Sequence, residues 1–277
     1  MHISFTKMQG LGNDFVVFNA TTTPLSFSAE QIRFLADRHF GIGCDQVLLV
    51  EATETSGVDF RYRIFNADGR EVEQCGNGAR CFARFVREKG LTNKDILDVE
   101  TKAGRIQLHL QKNGEVTVDM GPPHFLPRDV SFIADEFAHQ YSLTVDFNTV
   151  SVVSMGNPHM VFCVKDIDTA PVTELGKKLS RHPHFSNGIN VGFMQVIDAS
   201  QIRLRVYERG VGETLACGTG ACAAAVVGQR LGFLNPSVVT TVKLLGGRLA
   251  IAWDGRPQTS VLMTGSATFV FEGNIQL

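Results

Sequence analysis

With 277 residues, of which 44% are apolar and 19% charged, the chain is long enough to form two domains that each bury a core. Its 26 basic and 28 acidic residues leave a net charge of −2, and no basic run or aromatic-interleaved patch favours a nucleic-acid partner. The N-terminal sequence lacks the apolar segment of a signal peptide, and no apolar stretch approaches the length that spans a bilayer. We therefore expect a cytoplasmic protein with reduced cysteines that binds neither nucleic acid nor membrane.

The first half of the chain is predicted to form strands with a few helices. A helix is expected over residues 29–38, and alternating apolar and polar residues over 58–66 indicate a strand that ends before an Asp-Gly turn. Helix formers then follow Cys75 and stop at Gly90, a residue type that commonly ends helices. Residues 104–121 have the pattern of a hairpin that bends at an Asn-Gly pair.

The second half repeats this order. Residues 201–208 alternate in the same way, helix formers follow Cys217 and stop at Gly232, and residues 246–255 form another alternating segment that ends in an Asp-Gly pair. Such alternation is typical of antiparallel strands with one buried face. The predicted class is α+β, with a mainly antiparallel sheet wrapped around a central helix in each domain.

One cysteine-centred phrase occurs twice, as EVEQCGNGARC around Cys75 and as ETLACGTGAC around Cys217. Each copy places Glu four residues before the cysteine and Gly-x-Gly-Ala after it, and the two cysteines lie 142 residues apart. Two further matches, LGNDFVVF with MGNPHMVF and VDMG with LMTG, keep an offset of 144 residues. An offset this constant indicates a tandem duplication. We expect a first domain of residues 1–120 and 266–277 and a second of residues 121–265.

Each repeated cysteine stands where a Gly-rich turn enters a helix. The unpaired N–H groups and the positive dipole end of a helix favour an anion, so we expect thiols with a lowered pKa. The flanking glycines let the backbone approach a ligand, and the same N–H groups suit a carboxylate. Two such cysteines, one from each domain, can approach a small molecule from opposite sides, which is the geometry that a stereochemical inversion needs.

Other interpretations of these residues are weaker. The remaining cysteines are expected to be small buried apolar side chains: Cys44, Cys81, Cys163 and Cys222. The spacings C-x5-C and C-x4-C are not those of zinc ligands, Gly-x-Gly after Cys lacks the rest of a dinucleotide or P-loop motif, and a dithiol redox switch would show C-x-x-C. Among the histidines, only His159 is favoured for a functional role. Forming a turn is the ordinary role of Asn near Gly, and it stays open for Asn13, Asn66 and Asn157.

Taken together, the motifs resemble those of the diaminopimelate epimerase family. The resemblance rests on GLGNDFVV, GIG-x-DQ, FNADG-x-E-x-x-QCGNGARC, SMGNPH, ERG-x-GET-x-ACGTGAC and a terminal TG-x-A-x-x-x-x-x-G, and it covers nearly the whole chain. It implies two pseudo-symmetric domains, an active site in the interdomain cleft, and no pyridoxal phosphate or other cofactor. It also implies conversion of L,L-diaminopimelate to the meso form, in lysine and peptidoglycan-precursor synthesis, with Cys217 as base and Cys75 as acid for the L,L substrate.

The same resemblance assigns roles to individual positions. Four of them match the backbone cradle for the reacting α-carboxylate: Gly76, Asn77, Gly218 and Thr219. Groups that hold the α-ammonium and the distal end match Asn66, Glu208 and Arg209, and the pocket is completed by Asn13, Gln46, Asn157 and Asn190. Residues that support catalysis match His159 and Glu208. Family members commonly dimerise through the sheet near the C-terminus, where a tyrosine often stands and this chain has Phe271, so we expect a homodimer.

Another cofactor-free racemase, of a proline or hydroxyproline type, could use the same architecture. A polar set suited to a second amino-acid head group argues against it: Asn13, Gln46, Asn157, Asn190 and Arg209. Gln46 and Asn190 are also 144 residues apart, so each domain contributes the same pocket positions with different side chains. Different linings suit a substrate whose two ends must be distinguished.

Overall fold

The computed structural model describes residues 2–73, 75–134, 136–143 and 149–277. Gln74, which belongs to the first cysteine motif, lies outside the described residues. The chain divides into two compact units, unit 1 formed by Met1–Asp119 with Thr264–Leu277 and unit 2 formed by Met120–Met263. Within the described part of the chain, no helix is both long enough and apolar enough to cross a membrane.

The elements follow one another in a similar order in the two units. Those up to the end of the first segment are β1 (His2–Gly10), β2 (Asn13–Ala20), α1 (Ala29–Ala36), β3 (Gln46–Glu51), β4 (Phe60–Asn66), β5 (Glu71–Val72), α2 (Gly76–Glu88), β6 (Ile96–Thr101), β7 (Gly104–Leu110) and β8 (Val116–Asp119). After a 3-10 turn (Pro127–Val130) come β9 (Ser151–Ser154), β10 (Pro158–Cys163), α3 (Val172–Leu179), β11 (Asn190–Asp198), β12 (Gln201–Glu208), β13 (Gly212–Thr214), α4 (Gly218–Arg230), β14 (Thr240–Leu244), β15 (Gly247–Ala252), β16 (Leu262–Gly265) and β17 (Thr268–Gln276).

Strand pairing is mainly antiparallel in both units, as predicted. In unit 1, β1 pairs with β2 and with β17, and the pairs β3 with β4, β6 with β7, and β7 with β8 are also antiparallel. Parallel pairs, which alternation along one strand does not reveal, join β2 to β3 and β4 to β6. Unit 2 repeats them at equivalent places, where β10 pairs with β11 and β12 with β14. The predicted α+β class is confirmed, with a mixed sheet in each unit.

Helices cover both faces of the unit 1 sheet. In β3, the buried side chains of Val47 and Leu49 pack in one cluster with Ile32 and Leu35 of α1. The intervening Leu48 is also fully buried, and α2 packs against β1, β2, β3, β7 and β8. Because a strand covered on both faces has no solvent side, β3 has a continuous apolar run instead of an alternating one.

In unit 2 the central helix is α4, which has apolar side chains on every side. A helix of this composition is buried all round, and nearly every residue of α4 is indeed buried. A second helix, α3, packs against β11, β12 and β13. The sequence patterns do not indicate α3, since its N-cap is Pro171, which offers no side-chain capping bond.

The C-terminal segment belongs to unit 1 through contacts along its length. β17 pairs with β1 from His2 opposite Gln276 to Gln9 opposite Thr268. Arg80 of α2, which is fully buried, donates from Nε to the carbonyl oxygen of Ser266 at 3.1 Å. The C-terminal segment therefore pairs with the first strand through β17 and holds α2 through Ser266, just before β17.

Candidate active site

Both repeated cysteines are N-cap residues. Cys75 precedes α2 and Cys217 precedes α4, each in an extended backbone conformation, and the first helical residues are Gly76 and Gly218. The predicted helix starts are therefore confirmed. Because the first N–H groups of a helix have no partner within it and lie at its positive end, each cysteine stands beside a place suited to an anion.

The second glycine of each motif lies so close to neighbouring side chains that a Cβ would not fit without moving them. A Cβ on Gly78 would lie 2.5 Å from Oη of Tyr62. A Cβ on Gly220 would lie 3.2 Å from Sγ of Cys217 and 3.0 Å from Cγ2 of Val206. All three distances are shorter than ordinary van der Waals contact, so a larger residue would displace Tyr62 in unit 1, or Val206 and the Cys217 sulfur in unit 2.

The first half-site surrounds Cys75 with amide side chains. Sγ of Cys75 donates to Oδ1 of Asn13 at 3.6 Å, and Nδ2 of Asn77 donates to the same oxygen at 3.2 Å. Gln46 at the start of β3 and Asn66 at the end of β4 are directly paired, and Nε2 of Gln46 donates to Oδ1 of Asn66 at 2.8 Å. In unit 1 the structure thus brings Asn13, Cys75 and Asn77 together, and separately pairs Gln46 with Asn66.

The second half-site surrounds Cys217 with a hydroxyl and an imidazole. Oγ1 of Thr219 lies 3.6 Å from Sγ of Cys217 and 2.9 Å from Nε2 of His159. Nε2 of His159 also lies 3.0 Å from Oδ1 of Asn157. His159 is almost fully buried, and it connects the start of β10 to the N-terminus of α4.

Further contacts fix Glu208 and Arg209 where β12 ends. Oγ1 of Thr214 donates to Oε1 of Glu208 at 2.6 Å. The backbone N–H of Arg209 donates to Oδ1 of Asn190 at 2.8 Å, and its Nη1 donates to the carbonyl oxygen of Asn187 at 2.6 Å. Unit 2 thus gathers its own predicted site residues, and the Arg209 guanidinium is already bound to a carbonyl of the chain.

His159 is a neutral imidazole with a defined tautomer. Because Oδ1 of Asn157 can only accept, the facing Nε2 of His159 carries the proton. The hydroxyl hydrogen of Thr219 then remains available to the Cys217 sulfur. Nδ1 of His159 is buried and has no hydrogen-bond partner among the described residues. Burial, assisted by the positive charge of Arg209, lowers the pKa of His159 to about 3, so the ring is uncharged near neutral pH.

The prediction of a lowered pKa is wrong for Cys217. Burial and the negative charge of Glu208, together with its hydrogen bond to the thiol, raise the pKa of Cys217 well above the usual value. The Thr219 hydroxyl and the Gly220 N–H act in the opposite direction but are outweighed. The helix-end effect is worth at most about 2 kcal/mol even in favourable sites, and Cys217 is only 5% exposed. Cys217 is therefore a thiol when no ligand is bound.

The other cysteines differ from the prediction at one position. Cys44, Cys81 and Cys222 are buried as expected, and burial raises the pKa of Cys44 and of Cys81 to about 12. Cys163 is exposed, so its predicted burial is wrong. It is the last residue of β10 and is still paired with Met194 of β11, but its side chain is exposed.

The strand register reproduces the duplication seen in the sequence. His159 pairs with Asn190 in the parallel strands of unit 2, and Phe15 pairs with Gln46 in those of unit 1. Both members of each pair are offset by 144 residues between the units. A buried phenylalanine therefore replaces the histidine in the first half-site, and the two half-sites share a scaffold but differ in chemistry.

The repeated Glu before each cysteine has a structural partner. Glu71 binds Arg63 through two hydrogen bonds of 2.9 Å, and Glu213 binds Arg205 through bonds of 2.6 and 3.0 Å. Each pair joins the strand before the cysteine to the segment that leads into it. The sequence repeats reveal these glutamates but not their role. Their partners, Arg63 and Arg205, also recur 142 residues apart, but the sequence predicts only that they lie on alternating strands.

Two further residues near Cys75 are not singled out by the sequence. Arg80 donates from Nη1 to the carbonyl oxygen of Gly76 at 3.4 Å, which links α2 to the C-terminal segment. Asp45 accepts from Nδ2 of Asn13 at 2.9 Å. Both lie inside motifs that carry the family resemblance, which is the signal that could have found them. No group of three or more His, Cys, Asp and Glu side chains arranged for a metal ion occurs among the residues that the structure describes.

Two solved structures share this fold. A PhzF-family phenazine biosynthesis protein of Bacillus anthracis aligns with a TM-score of 0.71 and 19% identity over 100% of both chains. A probable proline racemase of Agrobacterium radiobacter K84 aligns with a TM-score of 0.70 and 17% identity over 99% of this chain and 93% of its own. The fold is therefore that of the PhzF-like and proline-racemase-like proteins, and at these identities the likeness goes no further.

A closer comparison places the chain within one family. The diaminopimelate epimerase family model matches residues 5–126 and 151–270. The diaminopimelate epimerase of Thioalkalivibrio sulfidiphilus is 58% identical over 280 residues that cover 100% of both chains. The chain belongs to the diaminopimelate epimerase family, and it is an isomerase of the class that acts on amino acids.

Proposed function

We propose that the chain interconverts L,L-diaminopimelate and meso-diaminopimelate by a two-cysteine acid/base reaction that needs no cofactor. The observation that carries this proposal is the pair of N-cap cysteines, Cys75 and Cys217, at equivalent places in two units of the same fold. A single base could remove an α-proton but would return it to the same face. Two thiols that act on opposite faces of one α-carbon give inversion.

The proposed reaction conserves protons between the two cysteines. For the L,L substrate, the Cys217 thiolate takes the α-proton as the Cα–H bond breaks, and the Cys75 thiol gives its proton to the opposite face of that carbon. Cys217 ends as the thiol and Cys75 as the thiolate, and conversion of the meso isomer runs the same steps backwards.

The barrier to this reaction is the weak acidity of a hydrogen beside a carboxylate. Negative charge that develops on the substrate must be stabilised by dipoles already in place, which is usually the largest catalytic contribution. The first N–H groups of α2 and α4, at Gly76, Asn77, Gly218 and Thr219, are donors of this kind. We propose that they hold the reacting carboxylate.

Because the pKa of Cys217 is raised in the empty site, we propose that substrate binding is needed to form the Cys217 thiolate that acts as the base. Burial and Glu208 together hold Cys217 as a thiol when the site is empty. We propose that the substrate α-ammonium, bound beside Glu208, cancels the repulsion between that carboxylate and a thiolate. Cys217 would then give its proton to solvent only when there is a substrate to deprotonate. Neutral His159 supports the thiolate through the Thr219 hydroxyl.

A proline-type racemase is the second candidate, since a probable proline racemase has the same fold. The polar groups of the half-sites favour the first. Gln46 and Asn66 bind each other at one end of β3, and Glu208 and Arg209 lie at the end of β12. Proline has no second amino-acid head group to use them. We further propose a cytoplasmic homodimer formed around the exposed Phe271 of β17, in keeping with a role in lysine and peptidoglycan-precursor synthesis.

The test is to incubate purified protein with L,L-diaminopimelate in deuterated water under reducing conditions. We expect meso product that carries deuterium at one α-carbon, with activity that survives dialysis against a chelator. Cys75→Ala and Cys217→Ala should each abolish conversion. Cys81→Ala and Cys222→Ala are matched controls, since these cysteines are fully buried on the same two helices, and both variants should stay active. Conversion by either N-cap variant, or racemisation of proline instead, would refute the proposal.

A further inference from the structure

We propose that Asp45 is a positioning residue that turns the amide oxygen of Asn13 toward the Cys75 sulfur and so favours the protonated, proton-donating form of Cys75. This inference rests on the proposed function, because it concerns which cysteine is the acid. Asp45 acts through Asn13, whose Nδ2 donates to it. It stands immediately before Gln46 and β3, on the loop that follows α1.

The orientation of the Asn13 amide follows from its partners. Nδ2 of Asn13 donates to Oδ2 of Asp45 at 2.9 Å. A carboxylate can only accept, so it fixes which end of the amide faces it. The amide oxygen is thereby directed to the other side, where it accepts from Sγ of Cys75 and from Nδ2 of Asn77. Without the carboxylate, the amide oxygen and the NH2 group of Asn13 could exchange places at little steric cost.

Asp45 is held in place by charged neighbours on β1, β2 and the loop after α1. Nη2 of Arg38 donates to Oδ1 of Asp45 at 2.9 Å, and the backbone N–H of Asp14 donates to Oδ2 of Asp45 at 3.1 Å. Asp14 in turn binds Arg38 through two bonds and Lys7 through an ion pair of 2.6 Å. Burial alone would raise the pKa of Asp14, but the bonds from Arg38 and Lys7 outweigh it and lower the value to about 2. Asp14 and Arg38, whose pKa is raised by its bonds to Asp14, therefore stay charged throughout the neutral pH range.

The two cysteines have different hydrogen-bond partners. An oxygen that only accepts can bind S–H but offers nothing to a thiolate, and Cys75 faces such an oxygen in the neutral amide of Asn13. Cys217 faces the Glu208 carboxylate, which also favours the thiol, and the Thr219 hydroxyl, which can donate to a thiolate once the substrate ammonium has neutralised Glu208. The two equivalent asparagines also have different partners. The amide oxygen of Asn13 accepts from Cys75, whereas the amide oxygen of Asn157 accepts from His159. These differences suit Cys75 to the acid role and Cys217 to the base role for the L,L substrate.

Other titratable groups near Cys75 keep a constant charge. Tyr62, whose hydroxyl donates to the Cys75 carbonyl oxygen at 3.4 Å, has its pKa raised well above the usual value by burial. Burial likewise raises the pKa of Cys81 to about 12. Neither Tyr62 nor Cys81 therefore titrates near neutral pH in a way that could be mistaken for an effect of Asn13 on Cys75.

The test measures alkylation of Cys75 by iodoacetamide across a pH series, without substrate, in a Cys217→Ser background with peptide mapping. We expect Asp45→Asn to raise the rate at neutral pH by about 3- to 10-fold, the size of one net hydrogen bond, because the amide of Asn13 can then turn its NH2 group to the sulfur. The exposed Cys163 is the internal reference and should not change. Asp168→Asn, which breaks a carboxylate–arginine pair in unit 2, is the matched control.

A double-mutant cycle shows whether Asp45 acts through Asn13. Asn13→Ala should also raise the Cys75 rate, and adding Asp45→Asn to it should change nothing further. Asp45→Glu keeps the charge and should stay nearer the parent. Additive effects, or no change with Asn13→Ala, would overturn the inference even if Asp45→Asn proved too unstable to study. A shift shared by Cys163 would overturn it as well.

Kinetics separate this inference from the proposed function. With Cys217 intact, Asp45→Asn should move the alkaline limb of the kcat/KM profile for the L,L substrate to lower pH, because the acid is lost earlier. The equilibrium constant is fixed, so kcat/KM must fall equally in both directions. If the parent epimerises diaminopimelate but Asp45→Asn leaves Cys75 alkylation unchanged, only the positioning role of Asp45 is refuted. If Asp45→Asn alters Cys75 alkylation but the parent shows no epimerisation, only the proposed function is refuted.

Discussion

Replacing Glu208 by glutamine should change the free protein and the working enzyme in opposite directions. In the free protein the carboxylate raises the pKa of Cys217 by its charge and by a hydrogen bond to the thiol. Glutamine keeps the size of the side chain and an oxygen for the Thr214 hydroxyl, which now donates to Oε1 of Glu208 at 2.6 Å. The change therefore removes the charge with little loss of packing.

The hydrogen bond from the Cys217 thiol to Glu208 sets a lower limit on the size of the effect, because the charge of Glu208 acts in the same direction. A hydrogen bond to a charged group contributes about 1.5–3 kcal/mol. Losing it should lower the pKa of Cys217 and give a thiolate fraction about 10- to 100-fold larger at neutral pH. Burial remains, so Cys217 should still ionise above the usual range. Turnover should nevertheless fall, because the substrate α-ammonium loses its proposed partner.

The assay is a pH titration of the ultraviolet thiolate absorbance of Glu208→Gln, with the same variant carrying Cys217→Ser subtracted. Glu213→Gln is the matched control, since Glu213 precedes Cys217 by four residues but binds Arg205 and is not among the groups that shift Cys217. An unchanged or higher Cys217 midpoint in Glu208→Gln would refute the electrostatic reasoning. A lower midpoint with full turnover would refute the role of Glu208 in binding the ammonium.

Two predictions concern stability, measured by urea unfolding. Gly78→Ala should cost about 1–3 kcal/mol, because the new Cβ would lie 2.5 Å from Oη of Tyr62, whereas Gly192→Ala should be tolerated, because its nearest atoms lie 3.5 Å away. Glu71→Gln should cost about 1 kcal/mol at neutral pH, since the bond to Arg63 lowers the pKa of Glu71. That stability is present above the unfolded value near pH 4.3 and is lost as pH falls through the folded value, so parent and variant should converge in acid. Equal losses for the two alanine variants, or a Glu71→Gln deficit that persists in acid, would contradict these accounts.

Features with a local chemical cause were predictable from the sequence. Helices end where Gly90 and Gly232 adopt positive φ values of 67° and 75°, which glycine tolerates best. The hairpin bends at Gly114, with a φ of 83°. The cysteine N-caps follow from the Gly-x-Gly that begins each helix. In each case a short run of residue types determines the backbone whatever surrounds it.

Features that depend on distant residues were not predictable. The parallel pairing of β2 with β3 and of β10 with β11 depends on which strands meet across a connecting helix. The raised pKa of Cys217 depends on burial and on Glu208, nine residues earlier in the chain. Asp45 lies in a family motif and Arg38 in the same loop, but neither position shows that the two side chains converge behind Asn13. A helix N-terminus favours a thiolate only when solvation and neighbouring charges do not decide otherwise.

The pairing of β17 with β1 has a consequence for how the protein is made. A ribosome releases β1 early, but its partner strand emerges only after all of unit 2 has been translated. Until then unit 1 lacks both an edge strand and the carbonyl of Ser266 that Arg80 binds. Cutting the gene at the duplication boundary would therefore leave the first half incomplete, whereas a circular permutant that joined residues 264–277 directly to β1 would make unit 1 continuous for the first time.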